Sequence, residues 1–314
     1  MATTKERIYA CIKRALPVGI KTSLWFLKIM LPVSFLVMLL SYFDILPYVS
    51  SLTAPLFTLI GLPGDAALVF VTSIFTNIYT AIALISGMDF TVREGVILAV
   101  MCLISHNFIV ETVVLKKTGS SALRMIVLRV IGSFVAAIGL NLLLPDMVGS
   151  LRTVTAVTAD FQTTLLEWLR GSLYLSVKIF AVIIFLMILQ RLLEEFGILK
   201  VLSGLFAPLM KLFGLPASVS FLWIVGNTIG LAYGSAIMMD YVESGQLDKR
   251  DADLLNHHLA ISHSQLEDPL LFAVIGLPMF WLIIPRLVIA VIVVWIRKIE
   301  LKMTNREFVL RYKN

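Results

Sequence analysis

The sequence predicts an all-α polytopic membrane protein made of two inverted repeats, each with three transmembrane helices and a re-entrant helical hairpin. Three observations carry this reading. The chain of 314 residues is 59% hydrophobic with a mean hydropathy of +0.94, and several apolar runs reach the ~20 residues that cross a bilayer as a helix. The second half repeats the first. Ala54-Pro55-Leu56 and Gly61-Leu62-Pro63 return as Ala207-Pro208-Leu209 and Gly214-Leu215-Pro216 at an offset of 153 residues, and His106, Glu111 and Arg129 return as His263, Asp268 and Arg286 at an offset of 157. Lys28 returns as Lys178. The third observation is the distribution of positive charge. If runs 66–85 and 220–239 re-enter instead of crossing, 19 of 26 Lys and Arg fall on the cytoplasmic side, against 16 if every run crosses.

In chain order, residues 1–22 carry Lys5, Arg7, Lys13, Arg14 and Lys21 among apolar positions, an amphipathic helix for an anionic cytoplasmic leaflet. The first repeat, 23–145, opens with a span at 24–40. Ser41, Tyr42, Phe43 and Asp44 follow it and do not form a small-residue cleavage site, so the span is expected to be retained. A Gly-Leu-Pro breaker precedes the hairpin run 66–85, which is interrupted at Thr76, Asn77, Ile78, Tyr79 and Thr80. Spans at 95–115 and 125–144 complete the repeat. Residues 146–171, with Pro145 before them and Arg152, Thr153, Thr155 and Thr158 among them, are an external linker ending in a surface helix. The second repeat, 172–297, has a span at 173–189, a hairpin run at 220–239 broken by Gly226, Asn227, Thr228 and Gly230, and spans at 254–274 and 279–296. Residues 298–314 are a basic cytoplasmic tail. This places the chain in the plasma (inner) membrane with both termini cytoplasmic.

Cys11 and Cys102 have no close-spaced mate, which excludes disulfide and zinc-thiolate readings, and no cofactor is implied. The basic balance of +6 is a topology signal, and no groove-lining basic and aromatic pattern points to nucleic acid. His-Glu-x-x-His and Gly-x-Ser-x-Gly are both missing, so enzyme readings are weak.

The chemistry concentrates in 261–269, where His263, Ser264, Gln265, Glu267 and Asp268 crowd into an apolar span, and in 104–112, which offers His106, Asn107 and Glu111. Ionisable groups in a membrane are costly and mark functional sites by default. Read as continuous helices, Asn107 with Glu111, Ser264 with Asp268 and His263 with Glu267 stand one turn apart on a common face. On the same reading Pro269 frees the Gln265 carbonyl. Burial favours the neutral forms of carboxylate and imidazole, so His106, His263, Glu111, Glu267 and Asp268 are candidates to carry a coupling proton. Imidazole with carboxylates also suits a divalent metal. Asn77, Asn227 and Thr228 at the hairpin breaks are candidates to present backbone groups to a ligand. Lys28, Lys178, Arg129 and Arg286 are intramembrane cations, either partners of the acids or an attraction for an anionic solute. Two half-sites are expected, His106 with Glu111 and His263 with Asp268, meeting near the midplane. The second copy has Gln265 and Glu267 where the first has Phe108 and Val110, and is expected to bind more directly.

The duplicated Ala-Pro-Leu and Gly-Leu-Pro motifs, with Gly226-Asn227 followed by Gly230, Ala232, Gly234, Ser235 and Ala236, resemble the nucleoside-recognition or "gate" membrane proteins. That group includes the cores of concentrative nucleoside transporters, the membrane part of ferrous iron transporter B and spore maturation proteins A and B. The resemblance covers nearly the whole chain. The Gln-Thr-Glu signature of the nucleoside transporters is not found, so what the resemblance implies is a transporter-like scaffold, not a substrate. The expected function is secondary-active, proton- or Na+-coupled transport of a small polar or anionic solute, nucleoside-like or an organic anion, in a lipid bilayer and compatible with a homodimer. The alternatives are a divalent metal transporter and a non-transporting assembly or signalling protein.

Overall fold

The computed structural model describes residues 3–151 and 160–311, leaving the side chains at 26, 29, 46–47, 49–50, 52, 232–233, 235–236 and 305–311 undescribed. Its helices in order are α1 (Thr4–Tyr42), α2 (Leu46–Phe57), α3 (Ala66–Phe75), α4 (Ile78–Gly87), α5 (Val92–Ser105), α6 (Phe108–Lys117) and α7 (Ala122–Leu143). Then follow α8 (Phe161–Glu195), α9 (Ile198–Leu212), α10 (Ser220–Thr228), α11 (Leu231–Glu243), α12 (Lys249–Ser262), α13 (Glu267–Ala273) and α14 (Met279–Arg311). Among the described residues, extended pairing is limited to one bridge between Thr91 and Ser150. The chain is all-α, as its composition predicts.

Two compact units form. The first comprises Met1–Phe108, Val130–Gly197 and Glu267–Leu282, and the second Ile109–Arg129, Ile198–Leu266 and Ile283–Asn314, so each draws on both halves of the sequence.

In the first unit α1 and α8 are antiparallel. The Arg7 guanidinium donates to Glu195 at 2.9 Å near one end, while the Trp168 indole donates to Ser34 at 3.1 Å and the Tyr42 and Phe161 rings meet near the other. Their seam is built from small residues. Cys11, Ala15, Gly19 and Ser23 recur every four positions and are all buried, and a Cβ on Gly19 would stand 2.8 Å from Ile184. Small residues at that spacing let two apolar helices approach closely. At 39 and 35 residues the two helices are roughly 58 and 52 Å long, longer than a ~30 Å hydrocarbon core, so both project beyond it. Of the residues 1–22 expected as a surface helix, 4–22 are the first turns of α1, continuous with the span. In the linker, residues 152–159 with Arg152, Thr153, Thr155 and Thr158 lie outside the described residues, and 161–171 begin α8. Asp160 caps α8 by accepting from the Thr163 amide and hydroxyl, which holds its carboxyl below the usual range. α5 is the unit's core, with every residue from Val96 to Ile104 fully buried.

In the second unit α10 and α11 fold back on one another at Ile229 and Gly230. A Cβ on Gly234 would lie 3.2 Å from the Gly226 Cα, whereas residues eight apart on one helix stand about 12 Å apart. Gly230, at φ +106, supplies a backbone that a side chain would strain. α12 is buried from Ala252 to Ser262 although it carries Asp253, Asn256, His257 and His258. Asn256 and Asp253 are served internally. The Asn256 amide donates to the Ser120 hydroxyl at 3.0 Å and to the Leu115 carbonyl at 3.3 Å, while Asp253 accepts from Ser120 at 2.6 Å and from Arg297 at 2.8 Å.

Among the described residues, four helices are long and apolar enough to cross a membrane: Thr4–Tyr42, Ala122–Leu143, Phe161–Glu195 and Met279–Thr304. Counting α5 and α6 as one broken span makes five. The sixth expected crossing, 254–274, does not meet that standard. Its polar residues make α12 a helix surrounded by protein, and four residues separate it from the seven-residue α13.

Candidate functional site

Both copies of the duplicated motif break their helix at the histidine. His106 and His263 are the C-caps of α5 and α12, with φ −68, ψ 160 and φ −63, ψ 164. Each is followed by a left-handed residue, Asn107 at φ 52 and Ser264 at φ 51. The exposed amides find the same partners in both places. The Asn107 amide donates to the Ser73 carbonyl and the Ser264 amide to the Gly226 carbonyl, both at 3.0 Å, and the Leu266 amide donates to the Asn227 carbonyl at 3.1 Å. Each motif is thus stitched to the carbonyls near the end of a short helix, α3 or α10.

These breaks correct the continuous-helix expectation. Asn107 with Glu111, Ser264 with Asp268 and His263 with Glu267 lie on opposite sides of a break, so their four-residue spacing puts no pair on a common helical face. Pro269 sits in the first turn of α13, where a missing N–H costs little, and the helix is interrupted before the proline.

Each histidine has an acid beside it within its own unit. In the second unit His263 Nε2 lies 3.4 Å from Glu111, and the fully buried Arg129 contacts the same carboxylate oxygen at 2.8 Å. In the first unit His106 Nε2 lies 3.9 Å from Asp268. Within each unit the imidazole therefore faces an acid of the other sequence copy.

Ring orientation adds a constraint. His106 Nδ1 lies 3.0 Å from the Cys102 carbonyl and His263 Nδ1 lies 2.9 Å from the Leu259 carbonyl. A carbonyl only accepts, so each Nδ1 carries the proton and donates. In a neutral ring Nε2 is then a lone pair facing a carboxylate, acceptor against acceptor. An added proton, on the imidazole or on the carboxyl, turns the 3.4 Å contact of His263 with Glu111 into a hydrogen bond, and one on His106 makes its 3.9 Å contact with Asp268 an ion pair.

The remaining site residues fall around these pairs. In the first unit Glu267 accepts from the Gln190 amide at 3.4 Å and from the Tyr79 hydroxyl, and Asn77 caps α4 by accepting from the Thr80 amide at 3.1 Å. In the second unit Arg286, fully buried, donates to the Ile261 carbonyl at 3.0 Å and the His263 carbonyl at 2.6 Å, holding the broken end of α12. Asn227 donates to the Trp223 carbonyl and Thr228 to the Ile224 carbonyl, both within α10. Among the described residues, Asn227 Oδ1 and both Gln265 amide atoms are buried without a hydrogen-bond partner. Lys28 and Lys178 do not join the acids. Both are exposed on their helices, and Lys178 lies over the Tyr174 ring at 4.4 Å. Sequence reasoning did not assign Tyr79 or Gln190 to the site, although a glutamine in the apolar α8 was a visible signal.

Fold and site together define an all-helical integral membrane protein whose polar groups are gathered at broken helices. The chain belongs to the Gate (nucleoside recognition) family, whose model matches residues 23–122 and 176–296, one block in each half. This bears out the resemblance read from its Ala-Pro-Leu and Gly-Leu-Pro motifs. The family is associated with transport-related membrane proteins rather than enzymes. The chain is also similar to the uncharacterized membrane protein YvoD of Bacillus subtilis (strain 168), with 32% identity over 282 residues, 88% of this chain and 90% of the relative. No solved structure matches.

Proposed function

We propose that this chain is a proton-coupled secondary transporter of a small polar or anionic solute. The observation that carries the reading is the pair of imidazole–carboxylate contacts that need one proton each. A proton held between His263 Nε2 and Glu111, 3.4 Å apart, closes a hydrogen bond, a proton on His106 turns its 3.9 Å contact with Asp268 into an ion pair, and release of either proton leaves two acceptors opposed. Such a group alternates between two local states, as a coupled carrier requires. The buried Asn227 Oδ1 and Gln265 amide offer two acceptor oxygens and one donor group to a polar solute in the second unit.

Reconstitution into liposomes loaded with a pH-sensitive dye tests this reading, guided by a thermal-shift panel of nucleosides, nucleotides, organic anions and divalent metals. A bound solute at ~100 times its dissociation constant adds about 2.7 kcal/mol of stability. The expected result is a polar organic solute that both stabilises the protein and moves protons on addition. Stabilisation by divalent metals alone, or uptake without proton movement, overturns the proposal.

The inverted arrangement belongs to the same reading, with repeats at 23–145 and 172–297, re-entrant hairpins at α3–α4 and α10–α11, cytoplasmic termini and an external loop after α7. α12 with α13 then serves as the second crossing of its repeat inside a protein environment, where a broken helix is tolerated. Ser120 is buried against Asp253, whereas Ser121 and Val148 are exposed and suit labelling. In a background lacking Cys11 and Cys102, a membrane-impermeant maleimide is expected to label Val148→Cys on intact cells and Ser121→Cys only after permeabilisation. The opposite pattern sinks the orientation.

A further inference from the structure

We propose that the outward face of α1 in the first unit is a binding site for an anionic phospholipid headgroup. The face is an open groove of about 730 Å³ lined by Lys13, Leu16, Pro17, Ile20, Lys21, Leu24, Trp25 and Lys28. At 100° per residue this stripe lies about 180° around the helix from the Cys11, Ala15, Gly19 and Ser23 seam that packs on α8. The three lysines therefore point away from α8, and every residue of the lining is exposed.

Charge and depth select the occupant. The lining holds three cations and no carboxylate, with an apolar floor between them. Lys21 and Lys28 are seven residues apart, about 10 Å along the axis. If the apolar stretch that ends at Tyr42 covers a ~30 Å core, it begins near Thr22, which leaves Lys21 at the headgroup level and Lys28 about 9 Å inside. A lysine at that depth extends its chain toward the interface, so both ammonium groups converge on the headgroup layer. Trp25 lies between them at about half exposure, with its ring edge-on to Tyr79 at 6.1 Å, and an indole belongs at that interface. A phosphate held by Lys21 and Lys28, with acyl chains along Leu24 and the lower part of α1, satisfies every group in the groove. This site also accounts for Lys28, which takes no part in the proton-facing pairs.

The test is a melting series of the purified full chain in neutral detergent, titrated with phosphatidylglycerol, phosphatidylcholine or inorganic phosphate. Phosphatidylglycerol is expected to raise the melting temperature saturably, while the other two leave it unchanged. Lys21→Gln with Lys28→Gln is expected to weaken the half-saturating concentration by about thirtyfold, two lysines each contributing a few-fold to tenfold at an anionic surface. Lys200→Gln with Lys211→Gln removes the same charge from exposed positions on α9 and is expected to leave the titration as it was. An equal response to phosphatidylcholine would show a nonspecific acyl groove, and an equal response to phosphate a soluble-anion site. Either result overturns the proposal, as does an unchanged titration in the Lys21, Lys28 variant.

Discussion

Asp268→Asn is expected to yield a folded protein whose solute flux no longer responds to an imposed pH gradient and falls by at least about tenfold, the effect of losing roughly 1.4 kcal/mol of differential interaction. The substitution keeps the shape of the side chain beside His106 Nε2, which lies 3.9 Å from the carboxylate. What disappears is a group able to exchange a proton with the imidazole. Comparison with Asn107→Gly separates coupling from scaffold. Asn107 contributes a left-handed backbone at φ 52 and an amide donated to Ser73, both of which glycine supplies. Glu267→Gln and Gln265→Ala are expected to lower flux more than Asn107→Gly. Gradient-driven flux surviving in Asp268→Asn would remove the pair His106–Asp268 from the mechanism.

The largest stability loss is expected from Arg129→Met. Arg129 is fully buried and contacts Glu111 at 2.8 Å, so its removal leaves a buried carboxylate facing a neutral imidazole lone pair on His263. Breaking one side of a buried pair costs about 3–5 kcal/mol, whereas replacing both sides with apolar residues is often near neutral. Thermal melts should therefore show a large drop for Arg129→Met and recovery in Arg129→Met with Glu111→Leu. Glu111→Gln is expected to lose stability as well as activity, which sets it apart from Asp268→Asn. An Arg129→Met protein as stable as the parent would show that the ion pair is not structural.

Much of the site was legible in the chain because ionisable residues in apolar runs are rare and expensive. The duplicated His106 and His263, the acids Glu111, Glu267 and Asp268 and the buried Arg129 and Arg286 all stood out on that ground. Their partners were not legible. Spacing arguments assume a continuous helix, and the left-handed backbones at Asn107 and Ser264 break it where the spacing was being counted. Tyr79 and Gln190 reach Glu267 from elements distant in sequence, which no local pattern announces.

The sequence by itself determined that this is an all-helical membrane protein of the Gate family, because hydropathy fixes what can meet lipid and the duplicated breaker motifs are written in the chain. It also determined which residue types would be forced inward, since an unpaired charge cannot remain in lipid. Tertiary structure decided which imidazole faces which acid within each unit, where His263 meets Glu111 and His106 meets Asp268. It also divided the four cations, turning Arg129 and Arg286 inward and leaving Lys28 and Lys178 on the helix surface. The physical reason is reach. A lysine on a long helix can carry its ammonium along its own stem toward water, whereas the arginines, buried among helices, have only buried carboxylates and carbonyls to satisfy their fixed fork of donors.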